Sequence, residues 1–274
     1  MARNVISAKL DIIFKKIFTE NSDMLHSFVA SMLDIPQENI KEIKITNTEL
    51  PPETYSGKFS RLDLSLKVDD KLVNVEIQVK NEPDYRDRTL FYWAKLYSSE
   101  LKSGEDYGEL KQTITINIIN FNMFGGNDYH TEVAAMIKGT DEVFSDKFSM
   151  HFFELKKVGK KPDPSNSREL WLQFINADSE EEFEMIRQTE VPIMQKAVRI
   201  IYDISEDTKI KEIARLREKA LHDEASALKN AKAEGIEVGR AKGIAEREAS
   251  IIANMKALGM SEEQIKAILT GGRS

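Results

Sequence analysis

From Arg61 to Lys80 polar and apolar residues alternate on both sides of a polar break. A period of two over this length predicts two half-buried strands joined by a tight turn. Leu62, Leu64, Leu66 and Val68 are the apolar set of the first strand, and Arg61, Asp63, Ser65 and Lys67 its polar set. On the second strand Val73, Val75, Ile77 and Val79 are apolar, whereas Asn74, Glu76, Gln78 and Lys80 are polar. With Asp69-Asp70 as a two-residue loop, Val68 faces Lys71, Leu64 faces Val75 and Leu62 faces Ile77, so the apolar faces agree. The same register sets Asp63 opposite Glu76.

Around this hairpin the period becomes helical. Leu10, Ile13, Phe14, Ile17 and Phe18 make one apolar stripe, which predicts a helix over 8–20. A second helix over 22–33 stops before Pro36, and 40–46 alternates as a strand. Pro51-Pro52 and Gly57 mark a loop. A helix over 84–99 follows Pro83, and a strand over 113–121 ends at Asn122 and Gly125-Gly126. The order helix, three strands, helix, strand predicts a mixed α/β core. Two more strands are read over 131–137 and 148–155. His130 and His151 flank or enter them without metal-ligand spacing, and both read as structural or solvent-facing. After a loop over 160–167, Trp171, Leu172, Phe174 and Ile175 read as core positions of a helix.

From Ser205 onward Ala, Glu, Lys and Arg dominate, the profile of a long exposed or self-associating helix. Gly235, Gly239 and Gly243 recur every four residues, with Ala231 upstream. Two readings stay open: a small-residue stripe that packs on a partner helix, or a loosely structured repeat linker. Gly259 is a helix stop, and Ser261-Glu-Glu-Gln264 is a capping box for a final helix over 262–269. Glu262 and Glu263 deny that helix a basic reading face. It reads as part of a helical hairpin for packing or oligomerisation.

The chain has 274 residues and no cysteine, which excludes disulfides, thiolate zinc sites and thiol nucleophiles. Its first residues lack the continuous apolar core of a secretory signal, and no run is long enough to span a membrane. A cytoplasmic location is the expectation.

Asp63 opposite Glu76 carries the chemistry. Facing carboxylates repel and invite a cation between them. Carboxylate oxygens suit Mg²⁺ or Mn²⁺. Such an ion can activate a water and neutralise charge on a phosphodiester. Gln78, on the same face, could orient a water, and Lys80 could help neutralise a phosphate. The alternative is an amphipathic hairpin with a solvated face.

Asp63 followed by Glu76-Ile77-Gln78 on the next strand resembles the PD-(D/E)XK nuclease motif, with Gln in place of the usual Lys. The flanks are similar to the recombination-promoting nuclease (Rpn) and transposase family within that superfamily. Lys9-Leu-Asp-Ile-Ile-Phe-Lys-Lys-Ile-Phe18 resembles that family's opening helix. Tyr92-Trp-Ala-Lys-Leu-Tyr97, Leu101, Gly104 and Tyr107-Gly-Glu-Leu110 resemble its later helix and loop. Ile114 to Phe121 resembles its next strand, and Glu169-Leu-Trp-Leu-Gln-Phe174 with the glycine-spaced tail completes the likeness. Leu62 stands where the superfamily has proline, and neutral Gln78 cannot supply a lysine's charge.

The resemblance implies a restriction-endonuclease-like core of order αβββαβ with a C-terminal helical extension. It divides the chain into a nuclease-like core over 1–125, a family-specific extension over 126–204 and a helical tail over 205–274. It implies a metal-dependent DNA endonuclease linked to recombination or a mobile element. Asp63 and Glu76 would hold Mg²⁺ or Mn²⁺, Gln78 would serve catalysis, and Asp11 on the first helix would assist the metal. The other reading of Asp11 is an exposed charge favoured by the helix dipole. The net charge of −7 is awkward for DNA, although Lys9, Lys15, Lys16, Lys67, Lys80, Arg86 and Arg88 lie in or near the proposed core. A non-catalytic DNA-binding or assembly protein that keeps the nuclease fold is the competing function. DNA is the expected partner, membranes are not, and the C-terminal helices could build a homo-oligomer.

Overall fold

The computed structural model describes residues 5–46, 49–50, 60–61, 64–101 and 104–271. They form two compact units, 1–215 and 216–274. Helices α1 (Asp11–Glu20) and α2 (Ser22–Leu33) come first. Ile13, Phe14, Ile17 and Phe18 of α1 are all buried, as the helical stripe predicts. Asp34 ends α2 in the left-handed region, with φ 58° and its N–H donated to Ala30 O.

The strands follow as β1 (Ile43–Ile45), β2 (Glu49–Leu50), β3 (Ser60–Arg61), β4 (Leu64–Val68) and β5 (Lys71–Gln78). Then come α3 (Tyr85–Ser99), β6 (Thr113–Ile119), β7 (His130–Met136) and β8 (Val143–Glu154). A six-stranded mixed sheet has the order β1-β4-β5-β6-β8-β7, and β2 pairs with β3 separately. The pairs β5–β6 and β6–β8 are parallel, and the others are antiparallel. Parallel neighbours need a crossover, which α3 supplies between β5 and β6. The chain thus differs from a bare helix, three strands, helix, strand order. The predicted second helix is present as α2, and the β2–β3 pair is added inside the run of strands.

The β4–β5 register is the predicted one over the described residues: Val68 faces Lys71 and Leu64 faces Val75. Asp69 takes φ 52° in the turn, and its Oδ1 accepts from Lys41 N and Glu42 N at 3.0 and 2.9 Å. The turn is thereby tied to the chain leading into β1. Val79 and Lys80 fall past the end of β5.

One expectation is corrected. The hairpin is buried on both faces, not half-buried. Leu64, Leu66, Val73, Val75 and Ile77 are buried on the apolar face, and Ser65, Asn74 and Glu76 are buried on the polar one. The cause is α3, which lies over the polar face with β6 alongside. Trp93 Nε1 donates to Thr113 O, and Tyr85 Oη donates to Asn117 Oδ1 at 3.4 Å. Tyr85 joins Ile119, Phe121, Met150 and Phe152 in a core beside that stripe. Alternation records which residues differ in polarity; it does not record what covers them.

Helices α4 (Ser167–Asn176), α5 (Glu180–Arg187) and α6 (Pro192–Glu206) complete the first unit's helical layer with α1 and α2. Its centre is aromatic: Phe18 meets Phe28 and Trp171 with ring centroids 4.6 and 5.5 Å apart. Trp171 is fully buried and donates Nε1 to Ser27 Oγ, so its role is core.

Helix α7 (Thr208–Ala257) holds Gly235, Gly239 and Gly243, so the linker reading of this stretch gives way to a continuous helix. Apart from the helix's own adjacent backbone, no described atom lies within 4 Å of where a Cβ on these glycines would sit. The described chain itself therefore supplies no close backbone approach to offset their helix cost. Helix α8 (Glu262–Gly271) begins with the predicted capping box: Ser261 N donates to Gln264 Oε1, and Gln264 N to Ser261 Oγ. Gly259, at φ 81°, makes the predicted stop. No described helix is long and apolar enough to cross a membrane.

Candidate active site

Glu76 and Gln78 stand two apart near the C-terminal end of β5, so both face α3. Parallel pairing aligns Glu76 with Asn117 and Gln78 with Ile119. Glu76 is only 7% exposed. The Gln78 amide is held on both sides: Oε1 accepts from Arg88 Nη2 at 3.0 Å, and Nε2 donates to Lys80 O at 2.9 Å. An amide oxygen can accept twice and its nitrogen donate twice, so these bonds use half of its capacity.

Helix α3 presents the opposing groups. Arg88 sits one turn into it and Tyr92 one turn further, so the two share a face. Arg88 also donates Nη1 to Glu82, and its guanidinium carbon lies 5.3 Å from the centre of the Tyr85 ring. The Tyr92 phenol is pushed up, chiefly by burial and then by the nearby Glu76 charge, while Arg88 pulls it down. Glu76, Gln78, Arg88 and Tyr92 therefore converge on one site. Arg88 and Tyr92 are the residues that alternation could not identify as members. Their sequence signals are position on the helix that follows the Glu76-to-Gln78 strand, the basic character of Arg88 and the family-like segment that Tyr92 opens.

The other predicted residues are placed as follows. Asp63 lies outside the described residues; the β4–β5 ladder is described up to Leu64, its neighbour. Asp11 is the first residue of α1 and partly exposed. Among the described residues no three His, Asp or Glu side chains gather as a metal cage, so Asp11 and Glu76 form none with a described third member. The donor chemistry nevertheless suits a hard cation. Glu76 offers carboxylate oxygen, and the buried Asn74 Oδ1 on the same stripe has no hydrogen-bond partner among the described residues. Mg²⁺ needs only one or two carboxylates and keeps waters for the rest.

The basic residues divide. Lys9 is consumed structurally: Nζ donates to Asn176 O at 2.9 Å and pairs with Asp178 Oδ2 at 2.5 Å, against its reading as a DNA contact. Lys67 faces Lys44 across the β1–β4 pair. The Lys111 ammonium beside Lys67 holds its pKa below the usual lysine range. Lys111 already has a carboxylate partner in Glu100 at 3.3 Å.

The histidines form a separate network on the opposite sheet face. His130 Nε2 lies 3.0 Å from His151 Nδ1, and His151 Nε2 lies 3.1 Å from Ser149 Oγ, which donates to Glu132. Burial first, then the neighbouring His151 charge, pushes His130 down to about 4. Both histidines are partly buried within this network.

The family model for PD-(D/E)XK nuclease family transposases matches residues 8–231. No curated protein and no solved structure matches the chain.

Proposed function

This chain belongs to the PD-(D/E)XK nuclease family transposases, and we propose that it is a metal-dependent endonuclease that hydrolyses DNA phosphodiester bonds during recombination or the movement of a mobile element. The observation that carries the reading is the buried Glu76 with Gln78 beneath α3, on a strand whose ladder with β4 runs in the predicted register to Leu64. One further step of that ladder would set Asp63 opposite Glu76.

In this proposal Asp63 and Glu76 hold Mg²⁺ or Mn²⁺, and Asp11 assists. A bound divalent ion supplies a water acidified towards neutral pH and counter-charge for the phosphodiester. The chain's own residues do the rest. Gln78 keeps one N–H and one lone pair for a water and is immobilised through its other two bonds, so it orients that water at low entropy cost. The phenol of Tyr92, held protonated above its ordinary range, is a neutral donor at the rim.

The test is plasmid cleavage with Mg²⁺ or Mn²⁺ by the wild type, Asp63→Ala and Glu76→Ala. Loss of cleavage in both variants is expected; equal rates in all three would remove the carboxylates from the mechanism. The competing reading, a DNA-binding or assembly protein without cleavage, draws on the neutral Gln78. Calorimetric titration separates the two: metal binding abolished by Glu76→Ala counts against it. The division into core 1–125, extension 126–204 and tail 205–274 belongs to the same proposal. So does self-association of the tail, whose Leu228, Ile236, Val238 and Ile244 are exposed on α7. Sedimentation of the chain with and without the tail tests it.

A further inference from the structure

We propose that Arg88 is a catalytic residue of this site: its guanidinium grips the non-bridging oxygens of the scissile phosphate and supplies the fixed positive charge that Gln78 lacks. The inference rests on the nuclease reading and deepens it.

Three observations carry it. Arg88 is locked by three partners of different kinds: the Gln78 amide oxygen at 3.0 Å, the Glu82 carboxylate and the face of the Tyr85 ring at 5.3 Å. The Glu82 ion pair offsets part of its charge, but a guanidinium fixed in this way is preorganised, and preorganised donors stabilise a phosphoryl transition state without reorganisation at the moment of reaction. Second, these hydrogen bonds occupy two of the five N–H donors of an arginine, and its planar fork matches two oxygens of one phosphate. Third, the side chain is 26% exposed. It is partly withdrawn from solvent, which strengthens its field, yet keeps exposed surface that a polyanion could reach. Gln78 then acts twice, towards a water and as the positioning residue of Arg88. Lys80 contributes its backbone carbonyl to the same arrangement by fixing the far side of the Gln78 amide.

The experiment uses the full chain and two readouts. Single-turnover cleavage of a short DNA duplex is measured for the wild type, Glu76→Ala, Arg88→Met and Arg88→Lys. Arg88→Met is expected to lose about a hundredfold in rate. Arg88→Lys should recover only part, because an ammonium keeps the charge and loses the fork. Guanidinium ion added to Arg88→Met should restore cleavage, and added to Glu76→Ala should not, which a merely structural role for Arg88 would not produce. Independently of activity, binding of the same duplex without metal is followed by fluorescence anisotropy across salt concentrations. Removal of one phosphate contact should lower the log–log salt slope by about one. If Arg88→Met keeps more than a third of the rate and its slope is unchanged, while Glu76→Ala is inactive, Arg88 alone is excluded. If the wild type and Glu76→Ala do not differ, the nuclease reading falls and takes Arg88 with it.

Discussion

Replacing Lys157 by methionine removes the counter-charge from a carboxylate that water does not reach. Glu154 closes β8 and is 0% exposed. It accepts from Met123 N, from Phe124 N at 3.3 Å and from Lys157 Nζ at 2.6 Å. Lys157 also donates to Phe124 O at 3.0 Å, and Arg86 of α3 donates to Met123 O. The short segment at 123–124 is thus clamped between β8 and the helix that carries Arg88. Stripping one partner from a buried ion pair costs about 3–5 kcal/mol. Here two backbone N–H donors remain on the carboxylate, each charge-assisted bond being worth about 1.5–3 kcal/mol. Methionine also keeps the stem packed, so the loss should sit near the low end, about 3 kcal/mol. With a urea dependence of about 2 kcal/mol per M, the unfolding midpoint should fall by about 1.5 M. Tryptophan fluorescence is the assay, because Trp93 and Trp171 both belong to the 1–215 unit. The double variant Glu154→Gln with Lys157→Met should regain most of the loss, since an amide oxygen accepts the same N–H groups without a buried charge. A loss under about 1 kcal/mol for Lys157→Met, or a double variant as unstable as the single, would refute the reasoning.

Acid should destabilise the fold through the histidine pair. His130 titrates at about 4 in the folded chain, against about 6.5 unfolded, and His151 is lowered by burial as well. Below pH 6.5 the unfolded chain takes up protons that the folded chain refuses. This contribution is therefore complete above 6.5 and is lost as pH falls towards 4. Half-exposure limits the loss to about 1–2 kcal/mol, and His130→Asn should flatten the melting temperature between these limits; superimposable wild-type and variant curves would discard the idea. At the hairpin turn, Asp69→Ala gives up the two hydrogen bonds that Oδ1 accepts and keeps φ at 52°, so about 2 kcal/mol should be lost, whereas Asp69→Asn should stay within about 0.5 kcal/mol. Equal melting of both variants would argue against the turn as drawn. If the Lys67 and Lys111 ammonium groups meet DNA, Lys67→Ala and Lys111→Ala should each weaken duplex binding and lower the salt slope by about one, with no preference among sequences. Unchanged slopes would place DNA elsewhere.

Local order is legible in the amino-acid sequence alone. The alternation of 61–80 determined two strands, their turn and, over the described residues, their register, because a slip of one residue would exchange the two faces throughout. The capping box at Ser261 and the stop at Gly259 were legible for the same reason: each involves residues within one helical turn. Glu76 and Gln78 could be nominated from the register that faces Glu76 with Asp63 together with the motif resemblance. What the sequence could not reveal was which groups would meet that face. The crossover α3 buries the polar stripe and brings Arg88 to Gln78, ten positions away along the chain. Asp178 takes Lys9 out of the basic surface from the far side of the first unit's sequence, and His151 finds His130 across the β7–β8 pair. Periodicity and capping depend on consecutive residues and the geometry of one element. Cover, ion pairing and the convergence of a site depend on which distant elements the topology packs together, and only the tertiary structure decided those.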